Sequence, residues 1–200
     1  MRIVAVENVT LDGVMQAPGR PDEDTRDGFA HGGWAVPYND EVMARAMGER
    51  MATEGALLLG RRTYEDFHGF WPRQTDNPYT DVLNRTRKYV ASTTLAEPLP
   101  WENSVLLEGD AAGAVADLKA HDAEPNVAVL GSGALLRTLM ARDIVDEYLL
   151  LIHPLVLGSG RRLFPEGAAA RLRLVDSVTT TKGVIIATYR PARAGKEGTG

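Results

Sequence analysis

One junction occurs twice in this chain and constrains its fold more than any other feature. A short, continuously apolar run passes through glycine into a helical stretch, first at Leu57-Leu58-Leu59-Gly60-Arg61-Arg62-Thr63. The second copy is Val127-Ala128-Val129-Leu130-Gly131-Ser132-Gly133-Ala134-Leu135. A strand that is apolar at successive positions, rather than alternating, is covered on both faces. Helical crossovers between parallel strands provide such cover, so the two junctions predict an α/β protein with a largely parallel central sheet.

The rest of the chain fits that frame. Ile3 to Val9 reads as a first strand, closed by the turn-forming Asp12-Gly13. Residues 16–38, rich in glycine, proline and charge, read as one long loop, and a loop of that length in a domain is usually functional. Asn39 or Asp40 caps a helix whose inward positions are Met43, Ala46, Met47 and Met51, with Gly55 placed to end it. Ala56–Gly60 is the next strand, and a short helix runs from Arg61 to about Phe67, with further helical potential over Tyr79–Asn84. Strands are expected at Lys88–Ser92, Ser104–Leu107, Asn126–Leu130 and Glu147–Ile152. Helices are expected from the Asp110 cap to about His121 and along Leu135, Leu136, Leu139 and Met140. Leu172–Thr179 and Val184–Tyr189 flank Thr180-Thr181-Lys182-Gly183 as a hairpin, an antiparallel edge to the sheet. The expected organisation is one domain over 1–190 followed by a flexible tail, 191–200.

Composition removes several functions. The chain has 200 residues, a net charge of −5 and no cysteine. The charge argues against nucleic-acid binding, which needs a basic face. Without cysteine there is no thiolate catalysis and no Cys-based zinc site. His31, His68, His121 and His153 have no metal-ligand spacing, so no metal is expected. Neither a signal peptide nor a membrane-length apolar run is evident, and a cytoplasmic location is expected.

Three features lie just past the carboxyl ends of expected strands, the edge where open α/β sheets hold ligands. Arg61 and Arg62 open a helix, where their charge opposes the helix dipole unless an anion sits beside them. They are either phosphate ligands or solvated surface residues. Gly131-Ser132-Gly133 lets backbone approach a pyrophosphate, or simply makes a tight turn. Ser92-Thr93-Thr94 offers hydroxyls to phosphate or ribose, or forms a polar turn.

In order and spacing, these motifs resemble the dihydrofolate reductase-like fold. They are most similar to the C-terminal reductase domain family of bacterial riboflavin-biosynthesis deaminase-reductases. The matching residues are Thr10-Leu11-Asp12-Gly13, Gly60-Arg61-Arg62-Thr63-Tyr64-Glu65 with Trp71, and Ser92-Thr93-Thr94-Leu95. Gly131-Ser132-Gly133-Ala134-Leu135 and Pro154-Leu155-Val156-Leu157-Gly158-Ser159-Gly160 with Leu163-Phe164 complete the match. The resemblance implies a three-layer sandwich and NADPH as cofactor. It implies that Gly60, Arg61, Arg62 and Thr63 meet the phosphates, that Ser92 and Thr93 hold the 2′-phosphate, and that Gly131 to Leu135 wrap the pyrophosphate. Asp12, the catalytic candidate, and Gly13 would lie near the nicotinamide and substrate.

The pattern departs from its relatives on the substrate side. There is no deaminase half, and no folate-holding arginine is evident. Asp40 and Glu41 sit where capping explains them. Trp34 and Tyr38 are the substrate candidates, either stacking on a flat heterocycle or packing the loop down. Trp71 and Trp101 are read as core residues and His153 as a structural histidine, while Pro154–Phe164 suggests a homodimer contact. The function expected from the resemblance is NADPH-dependent hydride transfer to a pyrimidine- or pterin-like small molecule, possible in a riboflavin-related pathway. The alternative is a non-catalytic NADPH-binding or sensing protein on the same fold.

Overall fold

The computed structural model describes residues 1–51, 55–75, 77–121 and 126–192. Strand β1 (Arg2–Thr10) lies inside an eight-stranded sheet with β2 (Ala56–Gly60), β3 (Arg87–Ala91), β4 (Ser104–Leu107), β5 (Asn126–Leu130), β6 (Glu147–His153), β7 (Leu172–Thr179) and β8 (Ile185–Pro191). The order is β4-β3-β2-β5-β1-β6-β8-β7. The first six strands are parallel, and the C-terminal hairpin adds β8 and then β7 antiparallel at one edge.

Because side chains alternate across a strand, each strand feeds both faces. Ile3, Ala5, Leu58, Val127 and Val129 meet Val115 of α4 (Ala111–His121) and Leu135, Leu136 and Leu139 of α5 (Gly133–Met140). On the other face, Val4, Leu149 and Leu151 meet Met43 of α1 (Glu41–Met51). Beside them Leu57, Leu59 and Ala128 pack on Tyr64 of α2 (Arg61–Phe70) and Leu83 of α3 (Pro78–Arg85). The three-layer sandwich with a mostly parallel sheet is therefore as the sequence predicts.

Several boundaries move. Helix α2 extends to Phe70 and leads into a 3-10 turn at Trp71–Arg73. The long loop carries two 3-10 turns, Arg26–Gly28 and Val36–Tyr38. Residues 52–54, on which the approach to Gly55 falls, lie outside the described residues. Strand β8 runs to Pro191, opposite Leu172, and Ala192 N–H donates to Arg171 O at 2.8 Å. The sheet edge thus passes the boundary expected at 190, while 193–200 lie outside the described residues.

Topology opens the sheet at one place. Helix α1 carries the chain from β1 to β2 on one face, and α5 carries it from β5 to β6 on the other. β1 pairs with β5 only from Arg2↔Asn126 to Val6↔Leu130, yet continues beside β6 to Thr10↔His153. Beyond Val6 the two neighbours part. Such a switch point is where this class of sheet takes ligands.

Two buried charges anchor the frame. Lys88 is fully buried, and its ammonium donates to Asn84 O, Thr86 O and Glu102 O at 3.1, 2.7 and 3.0 Å. Burial pulls its pKa down to about 8, so at neutral pH it remains the ammonium its three acceptors need. Glu147, 1% exposed at the start of β6, is gripped by Arg50 at 2.9 Å and Arg190 at 2.9 Å, with Arg2 at 3.5 Å. Burial would raise its pKa, but hydrogen bonds from Arg190 and Arg50 outweigh burial and hold it below the ordinary carboxylate range. Its contribution to stability is therefore present above the unfolded-state pKa and is lost as pH falls through the lower folded value. Glu147→Gln should lower unfolding free energy by about 1–2 kcal/mol, because it removes the charge from hydrogen bonds that partly exposed arginines make to a buried carboxylate. It should also flatten the acid limb of stability against pH, as denaturant titrations at several pH values would show.

Candidate active site

Where β1 parts from β5, a cleft of about 810 Å³ opens, with Val6, Glu7 and Asn8 among the residues lining it. The loop after β1 contributes Met15 to Pro18 and Asp22 to Arg26, and α1 contributes Met43, Ala44 and Met47. Arg62, Thr63 and Phe67 of α2 and Gly131, Gly133 and Ala134 at the start of α5 also line it.

Helices α2 and α5 differ from the others in how they start. Asp40, Asn77 and Asp110 cap α1, α3 and α4 through Met43 N, Tyr79 N and Gly113 N at 2.8, 3.0 and 3.0 Å. The residues preceding α2 and α5, Gly60 and Ser132, make no side-chain capping bond. Ser132 Oγ instead accepts from Gly60 N–H at 2.9 Å and donates to Leu130 O at 3.0 Å. Gly133 N–H donates to Gly131 O at 3.1 Å, and first-turn N–H groups of the two neighbouring helices without a side-chain cap lie at the positive ends of the helix dipoles. Gly131 has a φ of +59°, and a Cβ there would lie 3.5 Å from Thr63 Cγ2. A side chain at 131 would be strained by that backbone conformation and would lie in van der Waals contact with Thr63.

The residues predicted from sequence divide by this geometry. Arg62, Thr63, Gly131, Gly133 and Ala134 line the cleft, while Gly60 and Ser132 tie its two helix starts together. Leu135 is buried in the core. Arg61 is not among the lining residues, and it pairs with Glu65, one helical turn on, at 3.3 Å. Ser92 and Thr93 follow Ala91, which is level with Gly60 in register, but they are not among the lining residues. Ser92 Oγ accepts from Thr94 N–H and Leu95 N–H at 3.1 and 3.0 Å, forming a polar turn.

The substrate-side candidates Asp12, Trp34 and Tyr38 are not among the residues that line the cleft. Asp12 Oδ1 accepts from Thr10 Oγ1 at 2.6 Å and Leu157 N–H at 3.2 Å, and Oδ2 from Gly158 N–H at 2.8 Å. The Thr10 bond, helped by those two amides, holds its pKa below the ordinary value, and the bonds from Leu157 and Gly158 fasten the turn after β1 to the segment after β6. Trp34 is buried, with Nε1–H donating to Gln16 O at 2.7 Å. Its ring and that of Tyr38 meet His153 edge-on, with centroids 5.1 and 5.4 Å away. These aromatics pack the loop down.

His153 is fully buried, and burial pulls its pKa to about 4, so the ring is neutral. It bonds Asn8 Oδ1 through Nε2 at 2.9 Å, which fixes the orientation of an amide that lines the cleft. Glu7 is the residue that sequence reasoning missed. It is 3% exposed, its Oε1 has no hydrogen-bond partner, and it lines the cleft. A lone carboxylate inside the apolar run Ile3–Val9 was the available signal. Over the cleft, Arg20 pairs with Asp66 of α2 and lies 4.5 Å from the Phe70 ring centroid. Among the described residues no group of three or more acidic or histidine side chains could hold a metal, and no helix is long and apolar enough to cross a membrane.

Residues 2–186 match the model of the RibD C-terminal domain, and the chain belongs to that family. The family is one of oxidoreductases, of the reductase type found in riboflavin biosynthesis. The Bacillus subtilis protein YyaP is 27% identical over 139 residues, 66% of this chain and 72% of its own length. Among solved structures, a Shewanella sp. PV-4 protein named for riboflavin biosynthesis superposes with a TM-score of 0.68 and 21% identity, over 96% of this chain and all of its own. A pyrimidine reductase-like protein of Corynebacterium diphtheriae gives 0.65 and 14%, over 96% of this chain and 92% of its own. Dihydrofolate reductase of Enterococcus faecalis, in complex with NADP(H), gives 0.59 and 16%, over 96% and 97%. These likenesses establish the dihydrofolate reductase-like fold.

Asp12→Ala removes three accepted hydrogen bonds. It should cost about 1–3 kcal/mol of stability. Hydrogen exchange should speed up at Leu157 and Gly158, whose N–H groups lose their acceptor.

Proposed function

We propose that this protein is an NADPH-dependent reductase of a heterocyclic small molecule, pyrimidine- or pterin-like in class. The observation that carries the reading is the pair of uncapped helix starts joined through Ser132 and flanked by Arg62. A diphosphate suits them: backbone N–H groups and a guanidinium are the donors that phosphate oxygens take. The glycine at 131 leaves the backbone approachable there.

When bound, NADPH supplies a hydride to an electrophilic carbon of the substrate, and a proton from the surroundings completes the reduction. The chain's own residues bind and orient. Met43, Ala44 and Met47 on one side of the cleft, with Leu151 and Val6 beneath, give an apolar wall on which a flat ring lies. The Asn8 amide, held by His153, is placed to read a polar edge of that ring.

A second reading, NADPH binding or sensing without turnover, is favoured by one observation. Asp12, Trp34 and Tyr38 are all committed to holding loops. Loss of nicotinamide absorbance with any member of a pyrimidine and pterin panel selects the reductase, and binding without oxidation across the panel selects the sensor.

NADPH should bind this protein with quenched or shifted nicotinamide fluorescence, and NADH markedly more weakly. Arg62→Ala should weaken NADPH about ten-fold, the scale of one charge-assisted contact. Arg61→Ala should change it less than about two-fold, since that side chain faces Glu65. Equal losses in the two variants would overturn the placement of the phosphates.

A further inference from the structure

Glu7 is the one carboxyl of β1, buried at the first residue after β1 leaves β5. Its carboxyl takes a hydrogen bond from the backbone of Gly131, the residue that ends β5 and opens the turn into α5. Oε1 has no partner at all. Side-chain alternation puts Glu7 with Ala5 and Val9 on the α5 face, the side of the sheet on which the uncapped start of α5 lies. It therefore stands between the strand split and the groups assigned above to the diphosphate.

A carboxylate in that position would face the anionic cofactor across a water-poor cleft, where like charges repel strongly. A carboxylic acid would not, and its O–H would be a donor. We infer that Glu7 meets the dinucleotide as a neutral carboxylic acid, so that binding requires a proton on this one side chain. The inference rests on the NADPH reading and adds to it a proton-linked cofactor contact.

The surroundings favour the neutral form. Burial raises the Glu7 pKa well above the ordinary carboxylate range, the Gly131 bond opposes this, and the charge of Glu23 adds to the rise. The loop brings Asp22, Glu23, Asp24 and Arg26 to the cleft, and α1 brings Asp40. Helix α2 brings Arg62, Glu65 and Asp66, α5 brings Arg137, and the segment after β6 brings Arg161. Carboxylates outnumber guanidiniums, six to four. His153, behind Asn8, is neutral. Glu23 also has a raised pKa, chiefly through burial, and so needs its own control.

The experiment is fluorescence titration of NADPH from pH 6 to pH 9 at fixed ionic strength, with wild type, Glu7→Gln and Glu23→Gln. Titration of the ligand's own phosphate is common to all three proteins and cancels in ratios. Glutamine copies the shape and donor of the neutral acid, so Glu7→Gln should bind within about three-fold of wild type at pH 6. The ratio of wild-type to Glu7→Gln Kd should rise at least about ten-fold by pH 9, up to a decade per pH unit for one linked proton. Glu23→Gln should keep the wild-type slope. The same slope in wild type and Glu7→Gln overturns the inference, as does a slope abolished by Glu23→Gln and kept by Glu7→Gln. Should Glu7→Gln not fold, calorimetry of wild type at pH 9 in two buffers of different ionisation enthalpy decides. Uptake of between about half a proton and one proton per NADPH supports the inference, and no uptake overturns it. Failure of wild type to bind NADPH at any pH is a different result: it removes the cofactor reading itself.

Discussion

β1 cannot keep both neighbours along its whole length. β5 ends at Leu130, level with Val6, because Gly131 turns the chain into α5, whereas β6 accompanies β1 as far as Thr10. Since α1 and α5 leave on opposite faces of the sheet, no helix crosses the gap between β1 and β5 at that edge. The cleft follows from this difference in strand length. Its lining is drawn from both faces because the sheet itself is open there.

Hydrogen-bonding capacity is distributed to match. At α1, α3 and α4 an aspartate or asparagine caps the helix, and at α1 the cap Asp40 itself lines the cleft. At α2 and α5 the preceding side chain is absent, as at Gly60, or turned to the neighbouring strand, as at Ser132. The same contrast holds for buried charge. Lys88 and Glu147, at a distance from the cleft lining, have their partners supplied by the fold, while Glu7 in the lining keeps an oxygen without one. Among the described residues, Glu7 Oε1 and Arg161 Nε are unpartnered buried polar atoms of the lining, while Ser104 Oγ in β4 and His153 Nδ1 are unpartnered outside it.

Much of this was legible in the sequence. The two doubly apolar strands gave the parallel sheet, and their glycine exits gave the strand-end edge on which Arg62, Thr63, Gly131, Gly133 and Ala134 come together. What remained hidden depends on orientation and distant pairing. Arg61 and Arg62 are alike as letters, but about 100° of helical rotation separates them, and only Arg62 is among the lining residues. Asp12 sits in the expected turn, yet its partners Leu157 and Gly158 come from far along the chain. Trp34 and Tyr38 were placed on the right loop, but nothing local says that His153 would occupy their faces. Glu7 became conspicuous only when β1 was seen to outrun β5.

Ser132 has a wider consequence. A single hydroxyl spans from Leu130 O to Gly60 N–H and so joins the ends of β5 and β2 just where α5 and α2 begin. The separation between the two sets of uncapped amides is fixed before anything arrives, like the jaws of a set gauge. A rigid gauge discriminates by length: an anion that reaches both jaws gains both contacts without ordering the protein, and a shorter one gains only half.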